Sequence, residues 1–186
     1  MKRILMVILG LLTFSADVYA QSTAQTIERA LLAAPARARE GAAVISWNAD
    51  YTYHTLKEGT SELVCYDRSG DSGRPAFAVA CTARGNLDRI AQNRRFAVEG
   101  GDRAGTRSLV AAASGNGTRI APVFGSAWMS LSGDDQESAR PHMTIAMPGA
   151  TGASSGFPES GIGGGAWVMV AGTSEAHLMV PYIVVP

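Results

Sequence analysis

The 186-residue chain contains little charge and few cysteines, and both shortages exclude classes of protein. Only 17% of its residues are charged while 46% are hydrophobic, and its formal net charge is +0. A disordered tail needs more charge and less apolar sequence, and an electrostatic nucleic-acid binder needs a basic excess. Two cysteines are too few for a disulfide-framework miniprotein or a four-thiolate zinc ribbon. We therefore expect a folded chain with an apolar core that does not bind nucleic acid.

Long apolar runs are also scarce, and the one that exists lies near the N-terminus. Two cationic residues precede the apolar run 4–14, and the small side chains of Val18 and Ala20 suit the signal peptidase pocket. A transmembrane anchor is the alternative, but such a short run covers only about half of a bilayer core. We predict that residues 1–20 are a signal peptide and that residues 21–186 form a single periplasmic or extracellular domain without a membrane anchor.

Export has consequences for chemistry and for the two cysteines. Outside the cytoplasm there is no pool of ATP or NADH, which disfavours nucleotide-driven reactions. Strands over residues 61–67 and 75–82 are predicted to form a hairpin, in which alternation places Cys65 and Cys81 on the same apolar face. Oxidising conditions then favour a structural disulfide. A reactive thiol pair is the alternative, although the spacing is not the C-x-x-C of redox motifs.

The rest of the pattern alternates strands with separate helices. Apolar spacing predicts helices over about 22–34 and 86–98, with Arg89 and Arg94 of the second facing solvent. A capping-box signal at Ser132 predicts a short third helix. Further strands are predicted at 43–47, 51–55, 120–131, 142–147, 166–170 and 177–185, while 106–113 suits either a helix or a strand. The expected fold is α+β, a mostly antiparallel sheet of about five to seven strands with two or three helices; a β-sandwich with decorating helices is the alternative.

Two short serine motifs suggest hydrolases. The string Gly-Asp-Ser-Gly at 70–73 matches the nucleophile region of chymotrypsin-like proteases, but the only upstream histidine, His54, is too near for the two barrels of that fold, so we predict a hairpin turn. The string Gly-Ala-Ser-Ser-Gly at 152–156 satisfies G-x-S-x-G, with Glu175 and His177 following in triad order. The surrounding glycine-rich segment 148–165 breaks the strand and helix that a nucleophile elbow requires. A loop of that length inside a compact domain is usually a functional lid or disordered, and its composition does not choose between the two. A serine hydrolase built on Ser154 is our third hypothesis.

The histidines give a sharper hypothesis. His142 and His177 each open a predicted strand, with His-Met-Thr-Ile in one and His-Leu-Met-Val in the other. If the last three strands form an up-down-up meander, both imidazoles lie at the same end of the sheet, about 9.5 Å apart. They would then bind zinc or copper, with His54 or the thioether of Met179 as a further ligand. The alternative is that these side chains only fill the core.

No nucleophile, base and orienting group occur at the spacing that catalysis requires. Our leading hypothesis is a binding or interaction module without catalysis of its own, for an unknown small ligand or protein partner; whether the chain is an enzyme stays open. The competing hypothesis, from another class, is a metal-binding protein or a zinc- or copper-dependent enzyme that uses His142 and His177.

Metal content separates these two hypotheses. For a binding module we expect the mature protein, purified from the periplasm, to lack stoichiometric zinc and copper and to melt at the same temperature with and without chelator. Bound metal that disappears in the double variant His142→Ala/His177→Ala would overturn the leading hypothesis.

Overall fold

The computed structural model describes residues 22–181, and the strands in that range form one sheet. In chain order the strands are β1 (Ala43–Trp47), β2 (Tyr53–Lys57), β3 (Leu63–Asp67), β4 (Phe77–Ala83), β5 (Ala127–Gly133), β6 (Arg140–Ala146), β7 (Trp167–Met169) and β8 (His177–Val180). Across the sheet the order is β2-β1-β3-β4-β5-β6-β8-β7. Neighbouring strands are antiparallel except β1 and β3, which run parallel.

The predicted α+β fold with a mostly antiparallel sheet is therefore confirmed. The described residues contain eight strands, more than the expected five to seven, and all of them join a single sheet rather than the two sheets of the alternative β-sandwich. The predicted signal peptide, residues 1–20, lies outside the described residues, as does the end of the predicted strand 177–185.

The first helix, α1 (22–31), covers one face of the sheet. Its Ala30 belongs to a buried cluster that includes Cys65 and Cys81 of the central hairpin. Arg29 fastens the helix to that hairpin, since its Nε lies 3.1 Å from Asp67 Oδ2 and its Nη2 donates to Ser69 Oγ at 2.6 Å. The apolar stripe of α1 thus closes the core over the two cysteines.

The second helix, α2 (Leu87–Glu99), lies on the opposite face, where Leu87 and Ile90 pack in one cluster with Ile45, Val64 and Tyr66. The amphipathic spacing that predicts this helix also selects the face that it buries. The two helices therefore cover opposite faces, which is why β3 and β4 in the centre are almost wholly buried.

Buried polar groups fix the N-terminal end of α2. The Asn86 amide nitrogen donates to Thr82 Oγ1 at 2.8 Å and to Ser126 Oγ at 2.9 Å, and its amide oxygen accepts from the Val123 backbone N–H at 2.8 Å. Asn86 is fully buried, and these contacts satisfy its amide. They tie the helix to β4 and to the irregular segment that precedes β5.

The third helix, α3 (Arg103–Gly115), contacts α2 and settles the ambiguous segment 106–113 as helical. Asp102 caps it by accepting a hydrogen bond from the Gly105 backbone N–H at 2.8 Å. The two helices approach closely at Gly100 and Gly105, where a Cβ atom would collide with backbone. Among the described helices, none combines the length and apolar character needed to cross a membrane.

The hairpin prediction is confirmed. Cys65 on β3 and Cys81 on β4 stand directly opposite each other and form a disulfide, and both are buried beneath α1. The residues 70–73 lie in the turn that connects the two strands. Since successive side chains of a strand point to opposite faces, the neighbouring Tyr66 belongs to the face that α2 covers.

Two local features differ from expectation. The predicted helix after Ser132 is wrong, because β5 continues to Gly133 and a turn then leads into β6. In that turn Asp135 Oδ1 accepts from the Ser138 backbone N–H at 2.7 Å and from its hydroxyl at 2.8 Å, so the acidic side chain stabilises a turn rather than a helix. The glycine-rich segment 148–165 contains a one-turn helix, α4 (Gly152–Ser155).

The disulfide leads to a stability prediction. The double variant Cys65→Ala/Cys81→Ala should lose about 3 kcal/mol of unfolding free energy, because the bridge restricts the unfolded chain. Urea unfolding of the variant and the oxidised wild type measures the difference. Equal unfolding free energies, or two thiols that label in the denatured wild type, would contradict the prediction.

Candidate functional site

A cleft of about 580 Å³ opens on the face of the sheet that carries α2 and α3. Tyr66 of β3 and Trp128 of β5 contribute from the sheet, and Ile90 of α2 and Val110 of α3 add apolar wall. Two turns complete the rim, residues 48–51 between β1 and β2 and residues 68–74 between β3 and β4. We call this the α2–α3 cleft; its volume falls in the range of small-molecule sites.

Three arginines and one carboxylate line the α2–α3 cleft. Asp71 binds two of the arginines, with its Oδ2 at 3.3 Å from Arg68 Nε and its Oδ1 at 2.5 Å from Arg94 Nη1. Arg94 also stacks on the Trp47 ring, 5.3 Å from the centroid. Its Nε is buried without a hydrogen-bond partner among residues 22–181. The single carboxylate of Asp71 thus pairs with both Arg68 and Arg94, and the N–H of Arg94 Nε is left without an acceptor.

Arg74 is the third arginine, and within the described residues its guanidinium forms neither a hydrogen bond nor an ion pair. Partial desolvation, with the positive charge of Arg68 as the next cause, lowers the pKa of Arg74. Arg74 therefore stands at the rim as a cation whose surroundings favour an added negative charge.

Tyr66 places a hydroxyl group inside the cleft. Only 2% of the residue is exposed, and within residues 22–181 its hydroxyl makes no hydrogen bond. Burial raises the pKa of Tyr66 and outweighs the positive charge of Arg68, which lowers it, so the phenol stays protonated at neutral pH. The hydroxyl oxygen is not one of the buried side-chain atoms that lack a partner, so solvent reaches it at the cleft. The Tyr66 hydroxyl is therefore available at the cleft as a hydrogen-bond donor and acceptor.

Tyr51 occupies the rim with a backbone conformation that is rare for its residue type. Its φ is 69°, a left-handed value that a turn normally assigns to glycine or asparagine. The Arg95 guanidinium lies 5.5 Å from the Tyr51 ring centroid. A tyrosine at such a position costs backbone energy, and the ring contact with Arg95 offsets part of that cost.

A smaller pocket of about 210 Å³ adjoins the cleft and shares Asn93 and Trp128 with it. Its polar wall is an ion-pair network centred on Glu175. Arg89 Nη2 lies 2.7 Å from Glu175 Oε2, and Arg119 reaches both carboxylate oxygens, at 2.8 and 3.1 Å. The side chains of Arg89 and Arg119 are only 6% and 3% exposed. The prediction that Arg89 faces solvent is therefore wrong, because a carboxylate distant in sequence pairs with it in the interior.

The predicted arrangement of the histidine strands is also wrong. β8 lies between β6 and β7 and runs antiparallel to β6, with His177 opposite Ala146. His142 and His177 share a face, but they stand four positions apart along the strands, or about 13 Å. Partial burial, and after it the charge of His177, lowers the pKa of His142. The register therefore does not place the two imidazoles side by side.

The other predicted metal ligands are scattered. His54 lies on the edge strand β2, six strand positions from β8, and its Nδ1 contacts Asn48 Oδ1 at 3.1 Å. Met179 stands on β8, opposite Thr144 of β6. His177 directs its Nδ1 to the Glu175 backbone oxygen at 2.7 Å. Across the described part of the chain, no group of three or more His, Cys, Asp or Glu residues is placed to hold a metal ion.

Ser154 takes part in a local cap rather than a triad. Its hydroxyl accepts from the Thr151 backbone N–H at 2.9 Å, and its own N–H donates to the Thr151 hydroxyl, forming a capping box for α4. The Glu175 carboxylate binds Arg89 and Arg119, and His177 contacts the Glu175 backbone instead of its carboxylate. The orienting contact of a Ser-His-Glu triad is therefore not made.

Comparison with known proteins found no matching family model, no matching curated protein and no matching solved structure.

The Glu175 network leads to a prediction about stability and pH. Burial alone would raise the pKa of Glu175, but the Arg119 hydrogen bond and the Arg89 charge outweigh it and lower the pKa. The stabilisation is thus fully present above the ordinary glutamate pKa and is lost as the pH falls through the lowered value. Glu175→Gln leaves two buried guanidiniums without a counter-charge and should cost about 3 kcal/mol at pH 7.

Urea unfolding at pH 7 and at several acidic pH values measures this cost, with Glu137→Gln in the exposed β5–β6 turn as the matched control. The difference between Glu175→Gln and wild type should shrink towards low pH. An unfolding free energy of Glu175→Gln equal to that of the control at pH 7 would contradict the role assigned to the network.

Proposed function

We propose that this chain is an exported binding module without catalysis of its own and that the α2–α3 cleft is its site for a small-molecule ligand. Export is supported by the leader-like sequence of residues 1–20 and by the Cys65–Cys81 disulfide, a bond typical of oxidising compartments. The site is supported by a concave surface that joins apolar wall to a few convergent polar groups.

The observation that carries the proposal is the Tyr66 hydroxyl. It belongs to a side chain that is almost wholly buried, it shares the lining of the cleft with three arginines, and no residue of the described chain bonds to it. The oxygen itself is not among the buried atoms without a partner, so a ligand or a water molecule can reach it. A site whose polar groups are completed by a bound molecule is what a binding module requires.

The absence of catalysis in this proposal follows from the chemistry of the lining. The lining carboxylate, Asp71, lies between Arg68 and Arg94, and each of its two oxygens already contacts a guanidinium. A carboxylate engaged in this way is poorly placed to accept a proton from a substrate. Tyr66, with its raised pKa, is likewise a poor nucleophile at neutral pH. Both groups suit hydrogen bonding to a ligand better than proton transfer.

A cleft-filling variant tests the site. The uncharged dye N-phenyl-1-naphthylamine should fluoresce more strongly with the mature protein, because the cleft offers it an apolar wall. Ala97→Trp, on the α2 wall, should reduce binding at least tenfold by occupying the cleft. The matched control, Ala111→Trp, makes the same change at an exposed position of α3 and should bind the dye like wild type.

Thermal unfolding of both variants checks that they fold. Dye binding that is unchanged in folded Ala97→Trp, or lost equally in Ala111→Trp, would contradict the assignment of the cleft. Failure of wild type to bind either this dye or its anionic analogue would contradict the binding role itself.

A further inference from the structure

The α2–α3 cleft is positively charged beyond what its own residues neutralise. Among the described residues that line it, Arg68, Arg74 and Arg94 are cationic and Asp71 alone is anionic. Asp71 is fully engaged with Arg68 and Arg94. The lining therefore has an excess of two positive charges, and its unpaired arginine, Arg74, is exposed at the rim, where a ligand can reach it.

Several donors of this cleft have no acceptor among the described residues. The Arg74 guanidinium and the Tyr66 hydroxyl form neither a hydrogen bond nor an ion pair there, and Arg94 Nε is buried without a hydrogen-bond partner. Guanidinium groups bind carboxylate, sulfonate and phosphate oxygens through paired N–H donors. A protonated phenol adds a further donor for the same oxygens. These donors therefore suit the oxygens of an anionic group.

The α2–α3 cleft also has apolar lining. Ile90, Ala97 and Val110 line it from the two helices, and the Trp128 ring adds an aromatic surface from β5. A simple inorganic ion would leave this wall in contact with water. A molecule with an anionic group at one end and an apolar body at the other would cover both parts.

We infer that the cleft selects small amphipathic anions, with the anionic group held by Arg74 and the Tyr66 hydroxyl and the apolar body against α2, α3 and Trp128. This inference rests on the proposed binding function and adds the chemical class of the ligand. Arg74 is its main specificity determinant, because Asp71 already occupies the other two arginines.

Two dyes that differ in one anionic group test the inference on the mature protein. 8-Anilinonaphthalene-1-sulfonate carries a sulfonate, and N-phenyl-1-naphthylamine is its uncharged analogue. Wild type should bind the sulfonate dye more tightly. Arg74→Gln should weaken the binding of the sulfonate dye about tenfold, because one charge-assisted hydrogen bond is lost. The affinity for the uncharged dye should change less than twofold. Tyr66→Phe should act in the same direction.

The matched control is Arg107→Gln, which removes an arginine from an exposed position of α3. This variant should bind both dyes with the affinity of wild type. Octanoate should displace the sulfonate dye, whereas inorganic phosphate at the same concentration should not. Displacement by phosphate as effective as by octanoate would contradict the amphipathic part of the inference.

The outcomes separate this inference from the function on which it rests. If Arg74→Gln weakens the binding of both dyes equally, or of neither, the selection of anions is overturned, but the cleft remains a binding site. Absence of binding by both dyes would instead overturn the binding function.

Discussion

The alternation of side chains along β3 is the constraint on which the rest of the structure depends. Cys65 points into the core beneath α1 and is bonded to Cys81, while the next residue, Tyr66, points to the face that α2 covers. The bond that fixes the register of the central hairpin thus also fixes the position of the hydroxyl at the cleft. A shift of one residue in this register would exchange the two faces and remove both features together.

The two arginine clusters on the α2 face differ in how completely they are satisfied. Around Glu175, Arg119 gives hydrogen bonds to both carboxylate oxygens and to the side chains of Gln92 and Asn93. Around Asp71, Arg74 and the Tyr66 hydroxyl have no such partners within the described chain. In the first cluster the described residues supply partners for the arginine donors, whereas in the second cluster some donors at the cleft have no protein partner. This contrast, rather than the number of arginines, is the reason that we propose the second cluster, and not the first, as a ligand site.

Much of the fold follows from local sequence patterns. Alternation predicts β1, the β3–β4 hairpin and its disulfide, and apolar spacing predicts α2, because each of these depends on neighbours that are near in sequence. The predictions fail where a distant contact decides. Arg89 has the spacing of a solvent-facing residue, but Glu175, far along the chain, pairs with it in the interior. The position of β8 between β6 and β7 likewise depends on pairing that periodicity does not encode.

The cleft could not be predicted as a site, since its residues come from separate strands, helices and turns. The sequence did contain a signal, two arginines that flank the Gly-Asp-Ser-Gly turn, but turn chemistry explains those residues equally well. The most direct measurement is a crystal structure of the mature protein with octanoate. The account predicts the carboxylate within hydrogen-bond distance of the Tyr66 hydroxyl and the Arg74 guanidinium, with the alkyl chain against Ile90 and Trp128. An empty cleft at saturating octanoate, or octanoate bound elsewhere, would contradict it.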